Sequence, residues 1–170
     1  GGGVGLIRSI IVAISENNGI GRDNDLLWHL PSDMKFFRKT TLRHCVITGR
    51  KNYESIPEKY RPLANRTNIV VTRNVNYKAE GAVVKNSLEE ALEFAKSENE
   101  SEVFIIGGGQ IYKEAMGKNV IDKMYITHVA KSCDADTFFP EIELSNWNIK
   151  GRFALESESF AAEVRVYEKK

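Results

Sequence analysis

Asp33 is the ionisable residue whose neighbours in the sequence most suggest binding chemistry. It follows Pro31 in the first turn of a predicted helix, where the helix dipole favours a carboxylate. An aspartate at such a position ordinarily acts only as a cap or as a favourable charge in the first turn of the helix. Here, however, Trp28, Leu30 and Phe37 give it apolar neighbours, and a carboxylate in that setting needs a hydrogen-bonding partner. A flat ligand with paired N–H donors would supply one, so the segment predicts a pocket for a small ring.

Three consecutive glycines form a second candidate site. Gly107, Gly108 and Gly109 lie between a predicted strand and a predicted helix. Glycines let a ligand approach the main chain closely, and a helix N-terminus offers unpaired N–H groups to a phosphate. The run matches neither the spaced glycine fingerprint of dinucleotide-binding proteins nor a Walker loop. By itself it is equally compatible with a tight turn.

Two further strand ends carry residue types that bind phosphate. Arg50 and Lys51 follow Gly49 at the end of one predicted strand, and Thr72 and Arg73 lie at the end of another. The carboxyl ends of parallel strands meet along one edge of a sheet, where α/β proteins bind their ligands. Three such ends together favour a long ligand with several phosphates, and a dinucleotide fits best.

The alternation of short apolar runs with helical patterns predicts a single α/β domain. We expect a mostly parallel, twisted central sheet with helices on both faces. The tail alternates apolar and polar residues over 148–157 and 163–168, which predicts a C-terminal antiparallel hairpin at one edge. Predicted strands cover 7–14, 45–48, 68–72, 82–85, 103–106 and 124–129, and predicted helices cover 32–41, 51–56, a segment opened by the capping box of Ser87 and Glu90, and 110–116.

The composition is that of an ordinary globular domain. Of 170 residues, 42% are hydrophobic and 28% charged, and 24 Lys and Arg oppose 23 Asp and Glu, giving a net charge of +1. This balance argues against a nucleic-acid partner, and no apolar run is long enough for a membrane span. Cys45 and Cys133 lack zinc-site spacing, so we expect no metal. No secretion signal is recognisable in the sequence, so we expect reduced thiols and a cytoplasmic location. We expect one monomeric domain over 6–170, preceded at 1–5 by a cloning remnant or a disordered tail.

Taken in order, these motifs resemble those of the dihydrofolate reductase family from about Ile7 to the C-terminus. Any one of them could arise by chance, but the ordered set is specific. One departure is Leu27, where many relatives have proline just before the tryptophan. The matching landmarks are Ala13 in the first strand, Gly19-Ile20-Gly21, Trp28 through Asp33, Gly49-Arg50, Glu54-Ser55-Ile56, Gly107-Gly108-Gly109, Tyr125-Ile126-Thr127-His128 and Asp136-Thr137-Phe138-Phe139-Pro140.

The resemblance implies reduction of dihydrofolate to tetrahydrofolate by hydride transfer from NADPH, a reaction that feeds one-carbon metabolism. Asp33 would be the catalytic residue: it would anchor the pterin, supported by Thr127, while a water molecule delivers the proton. Arg66 would grip the glutamate carboxylate of the substrate as a bidentate pair. Antifolate-type inhibitors would bind in the same pocket, whose remaining lining would be Ile11, Leu26, Phe37, Ile56, Leu63, Ile106 and Tyr112.

The resemblance also places NADPH along the strand ends. Arg50, Thr72 and Arg73 would surround the phosphate that distinguishes NADPH from NADH. A cis peptide bond is expected between Gly107 and Gly108, and the loop over 16–27 would close over the nicotinamide. The cofactor-binding residues would be Ala13, Ile20, Gly21, Asn24, Gly49, Arg50, Lys51, Asn52, Thr72, Arg73, Asn86, Gly107, Gly108, Gly109, Gln110, Ile111 and Tyr112.

Two other functions are compatible with parts of this pattern. A related reductase that acts on a riboflavin precursor shares the general sheet order but does not need the segment from Trp28 to Asp33, nor Arg66. A catalytically silent NADPH-binding module should have lost the pterin-side residues, yet Asp33, Phe37, Arg66 and Thr127 are all present.

Overall fold

The protein is built around a mixed β-sheet, described by a computed structural model over residues 5–21, 30–156 and 160–170. The helices in this part of the chain are α1 (Pro31–Thr41), α2 (Arg50–Ser55), α3 (Leu88–Ser97) and α4 (Gly109–Gly117), with 3-10 helices at Glu58–Tyr60 and Leu144–Asn146. The strands are β1 (Ile7–Ile14), β2 (Gly19–Gly21), β3 (Cys45–Gly49), β4 (Thr67–Val71), β5 (Val83–Lys85), β6 (Glu102–Gly107), β7 (Lys123–Val129), β8 (Thr137–Phe138), β9 (Trp147–Ala154) and β10 (Ala162–Lys169).

Eight strands form the main sheet in the order β5-β4-β3-β6-β1-β7-β10-β9. Neighbouring strands run parallel from β5 to β7, whereas β10 is antiparallel to both β7 and β9. The carboxyl ends of β1, β3, β4 and β6 therefore lie along one edge. The mostly parallel sheet and the C-terminal hairpin predicted from the sequence are confirmed.

Two apolar cores cover opposite faces of this sheet. Ile10, Ile47 and Ile105 belong to a core with residues of α3 and α4, whereas their sequence neighbours Ile11 and Phe104 belong to a second core with residues of α1. Successive strand residues point to opposite faces, so the two cores must lie on the two sides of the sheet. Helices on both faces are thus confirmed.

Most predicted boundaries hold within two residues, and β1 matches its predicted range of 7–14. The predicted cap of α3 is present, since the Ser87 hydroxyl accepts a hydrogen bond from the Glu90 N–H at 3.0 Å. The Glu90 carboxylate bonds the N–H of Asn86 at 3.2 Å, one residue earlier than in the usual capping box. The strand predicted over 148–157 was too long, since β9 ends at Ala154, and position 157 lies outside the described residues.

The sequence did not reveal a second, two-stranded sheet. In it, β2 pairs antiparallel with β8, with Gly19 opposite Phe138 and Gly21 opposite Thr137. Segments this short, one of them rich in glycine, carry no alternating pattern that could predict a strand. None of the helices within residues 5–21, 30–156 and 160–170 has the length and apolar character needed to cross a membrane.

Candidate active site

The centre of the site is a hydrogen bond between a carboxylate and a buried hydroxyl. Asp33 lies in the first turn of α1, which starts at Pro31. Thr127 is on β7, 2% exposed, and its Oγ1 donates to Asp33 Oδ1 at 2.5 Å. Proline has no backbone N–H to satisfy and is favoured at the first helical position, so the helix begins there. The structure thus joins two predicted site residues.

Apolar side chains form a wall beside this carboxylate. Ile11 and Phe104 form a buried group with Val46, and the partly buried side chains of Phe37, Leu63 and Ile106 pack against it. Four predicted pocket residues are thus brought together: Ile11, Phe37, Leu63 and Ile106. Ile56 follows α2 and is half-buried.

Tyr112 is buried and hydrogen-bonded to β1. Its side chain is 4% exposed, and its hydroxyl donates to the Ile11 carbonyl oxygen at 2.8 Å. Burial, and then the negative charge of Asp33, raise the pKa of Tyr112 above its ordinary value. The phenol therefore stays protonated at neutral pH and acts as a donor that fixes β1 to α4.

Arg66 lies at the rim of the apolar wall. Its guanidinium donates from Nη1 to Thr41 Oγ1 at 3.1 Å and from Nε to the Ala64 carbonyl at 3.0 Å. The guanidinium carbon is 6.0 Å from the centre of the Phe37 ring. Burial, and then the charge of Arg38, lower the pKa of Arg66. These contacts fix a cation at the pocket rim, where it can bind a carboxylate.

The glycine turn lies on the other side of Tyr112. The Gly107–Gly108 peptide bond is cis, as predicted, and Gly107 has a φ of 126°. A Cβ on Gly107 would be strained by this φ, and it would lie 3.1 Å from Asn52 Nδ2, closer than an ordinary van der Waals contact, and 3.4 Å from the Tyr112 hydroxyl. A Cβ on Gly49 would lie 3.9 Å from Gly108 N, which places two predicted cofactor-binding turns next to each other.

The cationic strand ends form a more exposed part of this edge. Arg50 and Lys51 open α2 and are exposed, as is Arg73 beyond β4. The Asn86 side-chain amide donates to the Thr72 carbonyl at 2.8 Å and so fixes the ends of β4 and β5 to each other. These residues lie at the carboxyl ends of neighbouring strands, and their binding of a phosphorylated ligand stays a prediction.

Arg50 contacts Tyr77 and Glu54, two residues that the sequence analysis did not identify as functional. Its guanidinium carbon lies 5.1 Å from the centre of the Tyr77 ring, and its Nε lies 3.5 Å from Glu54 Oε1. The Tyr77 hydroxyl also donates to Glu54 Oε2 at 3.3 Å. The four-residue spacing of Arg50 and Glu54 on a helix was the available signal for their pairing.

The remaining predicted cofactor-binding residues lie around the glycine turn or outside the described part of the chain. Ala13 pairs with Thr127 between β1 and β7, and Ile20 and Gly21 belong to β2. In α4, Ile111 is buried and Gln110 is exposed. Asn24 and Leu26, together with the second half of the predicted loop over 16–27, fall within 22–29, which the structure does not describe.

A carboxylate pocket beside a glycine turn, at the carboxyl edge of a parallel sheet, is typical of a nucleotide-dependent enzyme. Residues 7–169 match the family model described as dihydrofolate reductase. The chain is 43% identical to a dihydrofolate reductase of Haemophilus influenzae over 142 residues, which covers 84% of each chain. It is also 41% identical to a bifunctional dihydrofolate reductase-thymidylate synthase of Daucus carota over 80% of this chain but only 28% of that protein.

A solved structure resembles the whole fold. Dihydrofolate reductase from Enterococcus faecalis, complexed with NADP(H) and RAB-propyl, superposes with a TM-score of 0.86 at 35% identity and covers 96% of both chains. The chain therefore belongs to the dihydrofolate reductase family, a family of NADPH-dependent oxidoreductases, and the assignment made from the sequence is confirmed.

Proposed function

We propose that this chain reduces dihydrofolate to tetrahydrofolate with NADPH and that Asp33 anchors the pterin ring. The observation that carries the role of Asp33 is its hydrogen bond with the buried Thr127 hydroxyl, next to the apolar wall of Ile11 and Phe37. A carboxylate held in this way presents acceptors in a fixed plane. A pterin offers an amino group and an adjacent ring N–H with matching spacing.

The residues of the neighbouring edge fit NADPH. The backbone of Gly107 has a φ that favours glycine, a Cβ there would be tight against Asn52, and Gly49 lies next to this turn. Backbone N–H groups at the start of α4 favour a pyrophosphate, since Ile111 is the first residue there to bond back into the helix. Arg50 and Arg73 would hold the additional phosphate of NADPH, and Thr72 and Asn86 would support them.

The chain's side chains bind and orient the reactants. Bound NADPH supplies the hydride. Asp33 holds the far side of the pterin ring, so it is not placed to protonate the nitrogen next to the reacting carbon, and a water molecule would deliver that proton. Tyr112, fixed to Ile11, limits the space beside the nicotinamide, and Arg66 holds the substrate's glutamate as a bidentate pair.

The direct test is the loss of NADPH absorbance when dihydrofolate is added, with Asp33→Asn measured in parallel. Rapid oxidation by the parent and little by the variant would support both the reaction and the anchoring role. An Asp33→Asn variant that keeps the full hydride-transfer rate at neutral pH would remove that role. A folded parent that binds NADPH but leaves dihydrofolate unchanged would favour a silent module, and turnover of a riboflavin precursor instead would favour the related reductase.

Three further properties belong to the same proposal. Antifolate-type inhibitors should compete with dihydrofolate for the Asp33 pocket, as a competition assay would show. The protein is a monomer, which light scattering after size-exclusion chromatography can test. It acts in the cytoplasm, which agrees with the two free thiols of Cys45 and Cys133 and can be tested by fractionation.

A further inference from the structure

Tyr77 differs from the rest of its loop in burial and in contacts. Residues 73–76 and 78 are exposed, whereas Tyr77 is half-buried. Its ring lies against the guanidinium of Arg50, whose central carbon is 5.1 Å from the ring centre, and its hydroxyl donates to Glu54 Oε2 at 3.3 Å. Tyr77 therefore joins the loop after β4 to α2.

Hydrogen bonds within this loop fix the position of Tyr77. The Asn74 N–H donates to Thr72 Oγ1 at 3.2 Å, and the Asn76 N–H donates to Asn74 Oδ1 at 2.9 Å. The Tyr77 N–H donates to the Asn74 carbonyl oxygen at 3.1 Å, which closes a turn. Short polar side chains stabilise turns by such bonds to the backbone. The ring is thus presented by an ordered turn that starts at Thr72, one of the residues predicted to bind the cofactor.

The contacts of Arg50 involve only part of its guanidinium. The face of the group lies on the Tyr77 ring, and its Nε lies 3.5 Å from Glu54 Oε1. Neither contact uses the two Nη atoms. These two nitrogens form the fork with which arginine binds a phosphate through parallel hydrogen bonds. An arginine stacked on an aromatic ring keeps this fork in one plane.

Arg73 is the second arginine predicted to bind the cofactor phosphate, and it lacks such support. It is exposed, and in the part of the chain that the structure describes it has no hydrogen bond, ion pair or ring contact. A long side chain of this kind loses rotamer freedom when it binds a ligand, which weakens binding. For Arg50, part of that loss has already occurred on folding, because the Tyr77 ring restricts the guanidinium.

We infer that Tyr77 is a positioning residue for cofactor selection, since its ring holds the Arg50 guanidinium in place for the phosphate that distinguishes NADPH from NADH. This role rests on the proposed function in one respect, namely that Arg50 binds that phosphate. Because the ring acts through Arg50, its loss weakens binding of NADPH and leaves binding of NADH, which lacks the phosphate, unchanged. A direct contact of Tyr77 with the part that both cofactors share would instead affect both equally.

The test measures the dissociation constants of NADPH and NADH by titration in the absence of dihydrofolate. Tyr77→Leu should weaken NADPH binding about fivefold, the factor expected when one long side chain must be ordered on binding, and should change NADH binding less than about twofold. Tyr77→Phe keeps the ring, so it should bind NADPH like the parent. The matched control is Tyr60→Leu, which should leave both constants unchanged. Tyr60 is likewise an exposed tyrosine with a cation over its ring, since Lys59 Nζ lies 5.0 Å from the ring centre.

Two double variants show which arginine Tyr77 acts through. In the Arg50→Gln background, Tyr77→Leu should have no further effect on NADPH binding, because the side chain that the ring positions is absent. In the Arg73→Gln background, Tyr77→Leu should still weaken NADPH binding about fivefold. The reverse pattern would overturn the role of Tyr77.

NMR relaxation of the cofactor-free parent tests the positioning without any variant. The Nε–H group of Arg50 should have a higher order parameter than that of Arg73. Equal order parameters overturn the role of Tyr77 even if Tyr77→Leu yields no folded protein. Equal weakening of NADPH and NADH binding by Tyr77→Leu overturns it as well, and so does a Tyr77→Phe variant that binds NADPH as weakly as Tyr77→Leu.

These outcomes are separate from those of the proposed function. A parent whose preference for NADPH depends on Tyr77, but which does not oxidise NADPH with dihydrofolate, contradicts the reaction and supports the role of Tyr77. A parent that reduces dihydrofolate and prefers NADPH, with a preference that Tyr77→Leu leaves intact, contradicts only the role of Tyr77. A parent that binds NADPH and NADH equally contradicts both the phosphate site at Arg50 and the role of Tyr77.

Discussion

Replacement of Thr127 by valine removes the hydroxyl that donates to Asp33 and keeps the shape of the side chain. Thr127 is 2% exposed, and its hydroxyl is the donor to Asp33 Oδ1, so valine at this position leaves that carboxylate oxygen without this partner. A hydrogen bond to a charged group contributes about 1.5–3 kcal/mol, which corresponds to a factor of about 10–100 in an equilibrium or rate ratio. We expect kcat/KM for dihydrofolate to fall by that factor, because the carboxylate loses the contact that fixes its plane.

The assay is steady-state NADPH oxidation with dihydrofolate varied, together with a separate titration of NADPH binding. In the proposed function Thr127 supports the anchor of the pterin, so the NADPH dissociation constant should not change. Thr127→Ser, which keeps the hydroxyl and loses only a methyl group, is the matched control and should retain most of the activity. The reasoning is refuted if Thr127→Val keeps parental kcat/KM, or if valine and serine reduce it equally.

Three further perturbations give distinct results. Arg66→Lys replaces a bidentate donor by a point charge, so we expect KM for dihydrofolate to rise about tenfold. KM for a pterin without the glutamate should stay constant, and initial rates measure both. Equal changes in the two KM values would contradict the proposed contact of Arg66 with the glutamate carboxylate. Arg50→Gln should reduce the preference for NADPH over NADH by about 10–100-fold in kcat/KM, and equal efficiency of the parent with both cofactors would show that no such preference exists. Burial, and then the charge of Arg165, lower the pKa of His128 from 6.5 to about 4. Between pH 6.5 and about pH 4 the unfolded chain therefore binds more protons than the folded protein. The neutral imidazole is hydrogen-bonded to the Tyr167 hydroxyl, and its contribution to the free energy of unfolding is lost as the pH falls through this range. Urea unfolding of the parent and of His128→Gln should show a weaker pH dependence in the variant, and identical dependence would assign the effect to other groups.

The element boundaries were largely predictable because they depend on local patterns. The run from Ile7 to Ile14 is apolar and β-branched, and it forms a strand over that whole range. The helix after Asn86 begins where Ser87 and Glu90 indicated. The strands β2 and β8 were not predictable, since each is stable only through its pairing with the other.

The sequence by itself determined the family, the order of the elements and the residue types available for binding, including Asp33, Arg66 and the three glycines. Only the tertiary structure decided which of these residues meet. Asp33 and Thr127 are 94 positions apart, and Tyr112 and Ile11 are 101 apart, yet each pair shares a hydrogen bond. The contact of Arg50 with the Tyr77 ring is likewise invisible in the sequence. Contacts of this kind depend on how the sheet places distant strand ends side by side, and that placement is fixed by burial of both sheet faces, to which the whole chain contributes.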